Sequence, residues 1–159
     1  MTTEDADGPD SYPEKIPEKI QSVLFVCNQN AVRSPMAEAL ANRHCRRRVF
    51  VESVGLIAGN LDPFSVAAMK EEGLDISGHQ PKPIGSVDTS LFDLIIALTP
   101  ESRDHIEKTR ANGNFELEYW PTPDPSDAEG NRNQVIDSYR LVRDRLEVRI
   151  ADKFDFGTK

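Results

Sequence analysis

The sequence contains no apolar run long enough to cross a bilayer and no signal-peptide core, and it holds only two cysteines, Cys27 and Cys45. The first lack argues against a helical membrane protein and gives no reason to expect export. The second argues against a disulfide scaffold. No Cys-x-x-Cys pair occurs, no Cys/His spacing suits zinc, and Cys45 falls late in the first helical pattern, a poor partner for Cys27. A reducing, cytoplasmic setting is expected, with no metal and no cofactor. Positive charge is also scarce: 19 Lys and Arg against 27 Asp and Glu give a net charge of -8. That is the wrong sign for general nucleic-acid binding, which rests on cationic neutralisation of phosphates. At 159 residues of ordinary globular composition, one domain with its own core is expected.

Residues 1–20 are acidic, carry Pro9, Pro13 and Pro17, and have little apolar content, which predicts a disordered tail ahead of a domain over 21–159. Pro-Glu-Lys-Ile occurs at Pro13 and again at Pro17, too short a copy to be a structural repeat. Beyond the tail, strand and helix signals alternate. Apolar, β-branched runs predict strands over 23–26, 49–54 and 92–98, and the alternating 115–120 reads as an edge strand. Between them, Ser34-Pro35, Asp62-Pro63 and Thr99-Pro100 read as helix starts, for helices over 34–48, from 62 to Gly73, and from 99 to 110. Arg46, Arg47 and Arg48 complement the first helix's dipole. The proline-punctuated stretch 121–130 reads as a loop. A last helix over 133–154 places Val135, Ile136, Tyr139, Leu141, Val142, Leu146 and Ile150 in the core. This order predicts an α/β fold: a four-stranded parallel sheet with helices on both faces, a Rossmann-like three-layer sandwich.

Chemistry concentrates where the first strand turns into the first helix, in Cys27-Asn28-Gln29-Asn30-Ala31-Val32-Arg33-Ser34-Pro35. A loop entering a helix offers backbone N–H groups and the positive end of a macrodipole to an anion. This makes residues 28–34 a phosphate-binding loop. A thiol at its lip is expected to exist largely as thiolate, the nucleophilic form. Arg33 brings a planar fork of donors suited to two oxygens of a tetrahedral oxyanion. Ser34 can donate a hydrogen bond to the sulfur. Ligands of parallel sheets bind beyond the carboxyl ends of the strands, and the loop holding Asp124 follows the last strand to that same edge. On residues alone Asp124 reads as a turn aspartate between Pro123 and Pro125.

With Val-Leu-Phe-Val-Cys27, Asn30 and Arg33-Ser34-Pro35-Met-Ala-Glu-Ala in place, the sequence resembles the low-molecular-weight protein tyrosine phosphatase family, which includes thioredoxin-coupled and related arsenate reductases. The likeness covers roughly residues 21–155. It implies that Cys27, Arg33 and Asp124 are catalytic, with Asp124 the general acid; Asp127, in the same loop, is the fallback. It further implies a supporting network in which Asn30 adopts a left-handed conformation held by Ser53 and His79, beside Ser34. Three departures stand out: Val32 where many relatives have a second cysteine, Asn28-Gln29 for an apolar-Gly pair, and Ser126-Asp127 where aromatic residues commonly flank the substrate ring. The last weakens the case for phosphotyrosine. The expected function is therefore phosphomonoester hydrolysis through a cysteinyl-phosphate, on a phosphorylated protein or small aryl phosphate. The alternative is arsenate reduction with an external small thiol, since no further cysteines serve a relay. A non-catalytic phosphate-binding module is the third reading. Inorganic phosphate or arsenate is the expected oxyanion ligand in each.

Overall fold

The structure is a computed structural model that describes residues 20–46, 48–110 and 113–154. Four strands, β1 (Ser22–Cys27), β2 (Phe50–Gly55), β3 (Leu94–Ala97) and β4 (Glu116–Tyr119), form one sheet in the order β2-β1-β3-β4. All three pairings are parallel, with Val23 facing Val51 on one side and Leu94 on the other. Four helices connect and cover them: α1 (Arg33–Cys45), α2 (Pro63–Lys70), α3 (Pro100–Thr109) and α4 (Arg132–Lys153). The expected three-layer α/β sandwich is therefore the observed one.

The alternation of side chains along β1 divides the core. Val23 and Phe25 point to one face, where Met36 and Leu40 of α1, Met69 of α2 and Ile136, Tyr139 and Leu146 of α4 pack on them. Leu24 and Val26 point to the other, against Ile95 of β3, Ile106 of α3, Phe92 and Phe115. Buried on both faces, β1 and β3 read as unbroken apolar runs. β4 pairs only with β3, which suits its acidic alternation for an edge. The chain leaves β1 for β2 on one side and reaches β3 on the other. The crevice beyond Cys27 therefore lies at the switch point of the sheet.

Several expectations need correction. The first helix ends at Cys45, not at residue 48, because Arg46 takes a left-handed conformation (φ 52) and its N–H closes onto the Asn42 carbonyl. Arg47 lies outside the described residues. Ser34 and Pro35 are not the cap and first residue of α1: Val32 occupies the N-cap without a side-chain bond, and the Ser34 hydroxyl is engaged elsewhere. The last helix begins at Arg132, one residue early, fastened by a reciprocal box between Asn131 and Gln134. Leu141, assigned to the core, is 53% exposed on α4's outer side. The 121–130 loop contains a short 3-10 turn at Pro125–Asp127. The expected tail falls almost wholly in residues 1–19, outside the described residues. Among the described residues no helix is long and apolar enough to cross a membrane.

Ile96 is fully buried in β3. Ile96→Ala should cost about 2–5 kcal/mol through lost transfer energy and the cavity left behind. Urea unfolding checks this, and a loss under about 1 kcal/mol would mean a loosely packed sheet centre.

Candidate active site

Cys27 ends β1, and the next five residues loop into α1. A cavity of about 100 Å³ sits there, walled by Cys27, Asn28, Gln29, Ala31, Val32 and Arg33 from the loop and by Asp124 and Ser126 from across the crevice. Because α1 has no side-chain cap, its first N–H groups are left without an internal partner. The backbone N–H groups from residue 28 to 34 donate to no protein acceptor among the described residues. The walls therefore hold one thiol, one guanidinium, one carboxylate and a row of unpaired amides, with no aromatic side chain.

Each group is held in place. The Ser34 hydroxyl lies 2.9 Å from Cys27 Sγ. Asn30 Nδ2 donates to Ser34 Oγ at 2.8 Å, which leaves the hydroxyl's own proton to the nearby sulfur or to the more distant Val54 carbonyl at 3.4 Å. Arg33 is 9% exposed, and its Nη1 donates to the Thr122 carbonyl at 2.9 Å. Its Nη2 lies 3.7 Å from Asp124 Oδ2. The other Asp124 oxygen accepts from the Ser126 N–H and hydroxyl at 2.9 and 2.6 Å. Asn28 is pinned at the rim by the Thr99 hydroxyl, which donates to its Oδ1 at 2.8 Å.

Behind the cavity, Asn30 is fully buried with φ 55, a conformation Asn tolerates better than most residues. Its Nδ2 also donates to Ser53 Oγ at 3.0 Å, and its Oδ1 accepts the Lys82 backbone N–H at 3.0 Å. A backbone N–H can only donate, which identifies that atom as the oxygen. His79 Nε2, 3.0 Å from the same oxygen, must then carry its proton. Burial, and then the Lys82 charge, push the His79 pKa below its ordinary value, against the opposing pull of the Asn30 bond. Ser53 in turn donates to Glu38 at 2.5 Å, and burial raises that carboxyl's pKa despite this bond. Gly55 lies so close beneath that a Cβ would come within 2.5 Å of the Asn30 nitrogen.

The structure thus brings Cys27, Arg33 and Asp124 to one cavity, with Ser34, Ser53 and His79 around Asn30. The Asn30 and Ser34 side chains turn away from the cavity, leaving only their backbone N–H groups to meet an anion. Asp127, the fallback acid, is exposed and outside the cavity wall. Glu38 and Thr122 escaped notice in the sequence, and Thr99 was read only as a helix start, not as a support of the loop. Glu38 lay one helical turn after Ser34, a spacing that could have flagged it. Cys45 is fully buried, with its thiol pushed up to about 11 by desolvation. Among the described residues no group of three or more His, Cys, Asp or Glu could hold a metal ion.

The family model of low molecular weight phosphotyrosine protein phosphatases matches residues 22–154. The chain belongs to that family. It is 33% identical over 130 residues to a Bacillus licheniformis arsenate reductase, covering 82% of this chain and 92% of that one. A solved arsenate reductase in the phosphate binding state superimposes with a TM-score of 0.69 at 27% identity, over 85% of this chain and 97% of that one. The arginine phosphatase YwlE, solved as a cysteine-to-serine mutant with phosphorylated active site serine, gives 0.67 at 26%, over 82% and 91%.

Asn30→Ala should lower stability by about 1–3 kcal/mol, since buried donors and acceptors on three segments lose their partner. An unfolding titration that shows no loss would mean the loop holds its shape unaided. His79 makes a separate expectation. Its folded pKa lies below the unfolded value near 6.5, so its contribution is intact above that pH and is lost as pH falls through the folded value. His79→Gln, which keeps an N–H for Asn30, should therefore lose less stability than the parent between about pH 7 and 5. Identical slopes in pH-dependent unfolding would contradict this.

Proposed function

We propose that the chain reduces arsenate, with Cys27 as nucleophile and an external small thiol as reductant. The observation that carries this reading is the cavity itself: room for a bare tetrahedral oxyanion, with a thiol and a guanidinium in its wall and no aromatic side chain lining it; Phe64 and Tyr139 line only the neighbouring opening. The name of the Bacillus licheniformis relative supports it. Phosphomonoester hydrolysis led the reading of the sequence, and the relatives favour its alternative instead. The reductant must come from outside the described fold's chemistry, because Cys45 is sealed in the core.

Arsenate would lie on the loop amides with two oxygens on Arg33. The Cys27 sulfur, supported by the Ser34 hydroxyl, attacks arsenic; an S–As bond forms and one oxygen leaves as water, taking a proton from Asp124. An external thiolate then attacks the Cys27 sulfur. The S–As bond breaks, its electron pair goes to arsenic, arsenite departs, and Cys27 is left in a mixed disulfide. A second thiol molecule releases Cys27 as free thiol and leaves as the small disulfide.

One observation favours phosphomonoester hydrolysis as a second reading. Asp124 stands at the lip of the cavity, 3.7 Å from Arg33, where it would protonate an ester's leaving oxygen and then activate water. Phosphorus offers the thiol no reduction, so a cysteinyl-phosphate would have to hydrolyse. The phosphorylated active site of the YwlE mutant supports the attack step. A non-catalytic phosphate-binding module is the weakest reading, since thiol, guanidinium and acid all reach one cavity.

Arsenite formation from arsenate and glutathione, set beside hydrolysis of p-nitrophenyl phosphate, tests the order. The expected result is thiol-dependent arsenite, reduced by roughly a thousandfold or more in Cys27→Ser and retained in Cys45→Ser. Ester hydrolysis without arsenite would make the second reading the function. In that case Asp124→Asn should slow esters with poor leaving groups most.

A further inference from the structure

A second cavity, with mostly apolar walls, lies away from the thiol. Its volume of about 520 Å³ is within the range that small ligands occupy, and it opens between α4 and the segment leaving β4. Trp120, Pro121, Pro123, Val142, Leu146 and Val148 supply its apolar walls. Trp120 is the chain's single tryptophan and is 3% exposed. Its indole N–H is already taken by Glu118 at 3.0 Å, so its ring meets the cavity as an apolar surface.

The cavity also carries positive charge at its apolar walls. Arg145 and Arg149 line it, and neither has an ion-pair partner among the described residues. The Arg149 guanidinium stands 4.9 Å above the Trp120 ring. Asp144, the one carboxylate in the wall, is held by Arg143 Nε at 2.8 Å. In a chain of net charge -8, this is a locally positive apolar pocket. Its complement is a small anion with a flat apolar body: ring against indole and aliphatic walls, negative group between two guanidinium groups.

The pocket's wall is also the segment that serves the oxyanion cavity. Thr122, between two of the lining prolines, gives its carbonyl to Arg33 Nη1 at 2.9 Å, and Asp124 follows one residue beyond Pro123. Proline at both neighbours leaves this stretch few backbone conformations, so a displacement at Trp120 is passed along it, not absorbed. We propose that the cavity is a binding site for a small aromatic anion, and that its occupancy alters oxyanion binding through the Thr122–Arg33 bond. Nothing in this depends on whether arsenate or an ester is turned over.

8-Anilinonaphthalene-1-sulfonate has the required chemistry, and Trp120 reports its arrival by energy transfer. Saturable one-to-one transfer is expected, weakened at least about tenfold by the double variant Arg145→Glu/Arg149→Glu, which changes two exposed side chains and should keep the parent's circular dichroism. Saturating inorganic phosphate should shift the probe's affinity without displacing it. Calorimetry should show the probe shifting phosphate affinity by the same factor, at least about twofold. Transfer that survives the charge reversals, or full displacement by phosphate, would overturn the site. A bound probe with phosphate affinity unchanged would overturn the coupling.

Discussion

The site depends on one buried amide. Asn30 sits where the chain must reverse between strand and helix, in a left-handed conformation that costs most residues energy. Its side chain ties the loop to three other segments at once: to α1 through Ser34, to β2 through Ser53, and to the 79–82 segment through the His79 ring and the Lys82 amide. An amide with two donors and two acceptor sites has its hydrogen-bonding capacity filled by these four contacts. Filled and dry, such a network fixes a single loop shape; partly filled, it would leave buried polar groups at a heavy cost. Gly55 completes the arrangement, because only a residue without a side chain lets β2 come so close beneath Asn30.

This rigidity is used to keep something else unsatisfied. A helix start normally gains about 0.5–2 kcal/mol from a capping side chain. Here Val32 caps nothing, the Ser34 hydroxyl turns to the Cys27 sulfur, and the loop amides are left facing no protein acceptor. The fold forgoes local stability at α1 and leaves these donors open, and the Asn30 network holds the loop against the collapse that would satisfy them. α3 and α4, whose starts carry no such duty, both have reciprocal capping boxes.

The sheet and its helices were legible because apolar runs and cap residues have a period and a chemistry that the sequence displays. Cys27, Arg33 and Asp124 were legible as groups that topology would gather at one sheet edge. Other features were not. Arg46 ends α1 in a conformation usually given to Gly, so no residue marked the stop. Leu141 faces out because, two residues after Tyr139, it falls on the side of α4 away from the stripe of Ile136, Tyr139, Val142, Leu146 and Ile150. The Thr122 contact to Arg33 runs through a backbone carbonyl, which has no signature in side-chain identity. Which oxyanion reaction the site performs was the least legible point. Hydrolysis and reduction share their nucleophile, cradle and acid, and part only at the second step, where the attacking group comes from solution.

Either reaction requires that an oxyanion bind in the cavity beside Cys27. The direct measurement is a crystal structure of the protein soaked in arsenate or phosphate. The predicted result places the central atom in the cavity at the head of α1, in line with Cys27 Sγ, with two oxygens on the Arg33 guanidinium and the rest on amides of the loop. An anion bound elsewhere, or a cavity that stays closed to millimolar oxyanion with Asn30 still in its left-handed conformation, would contradict it.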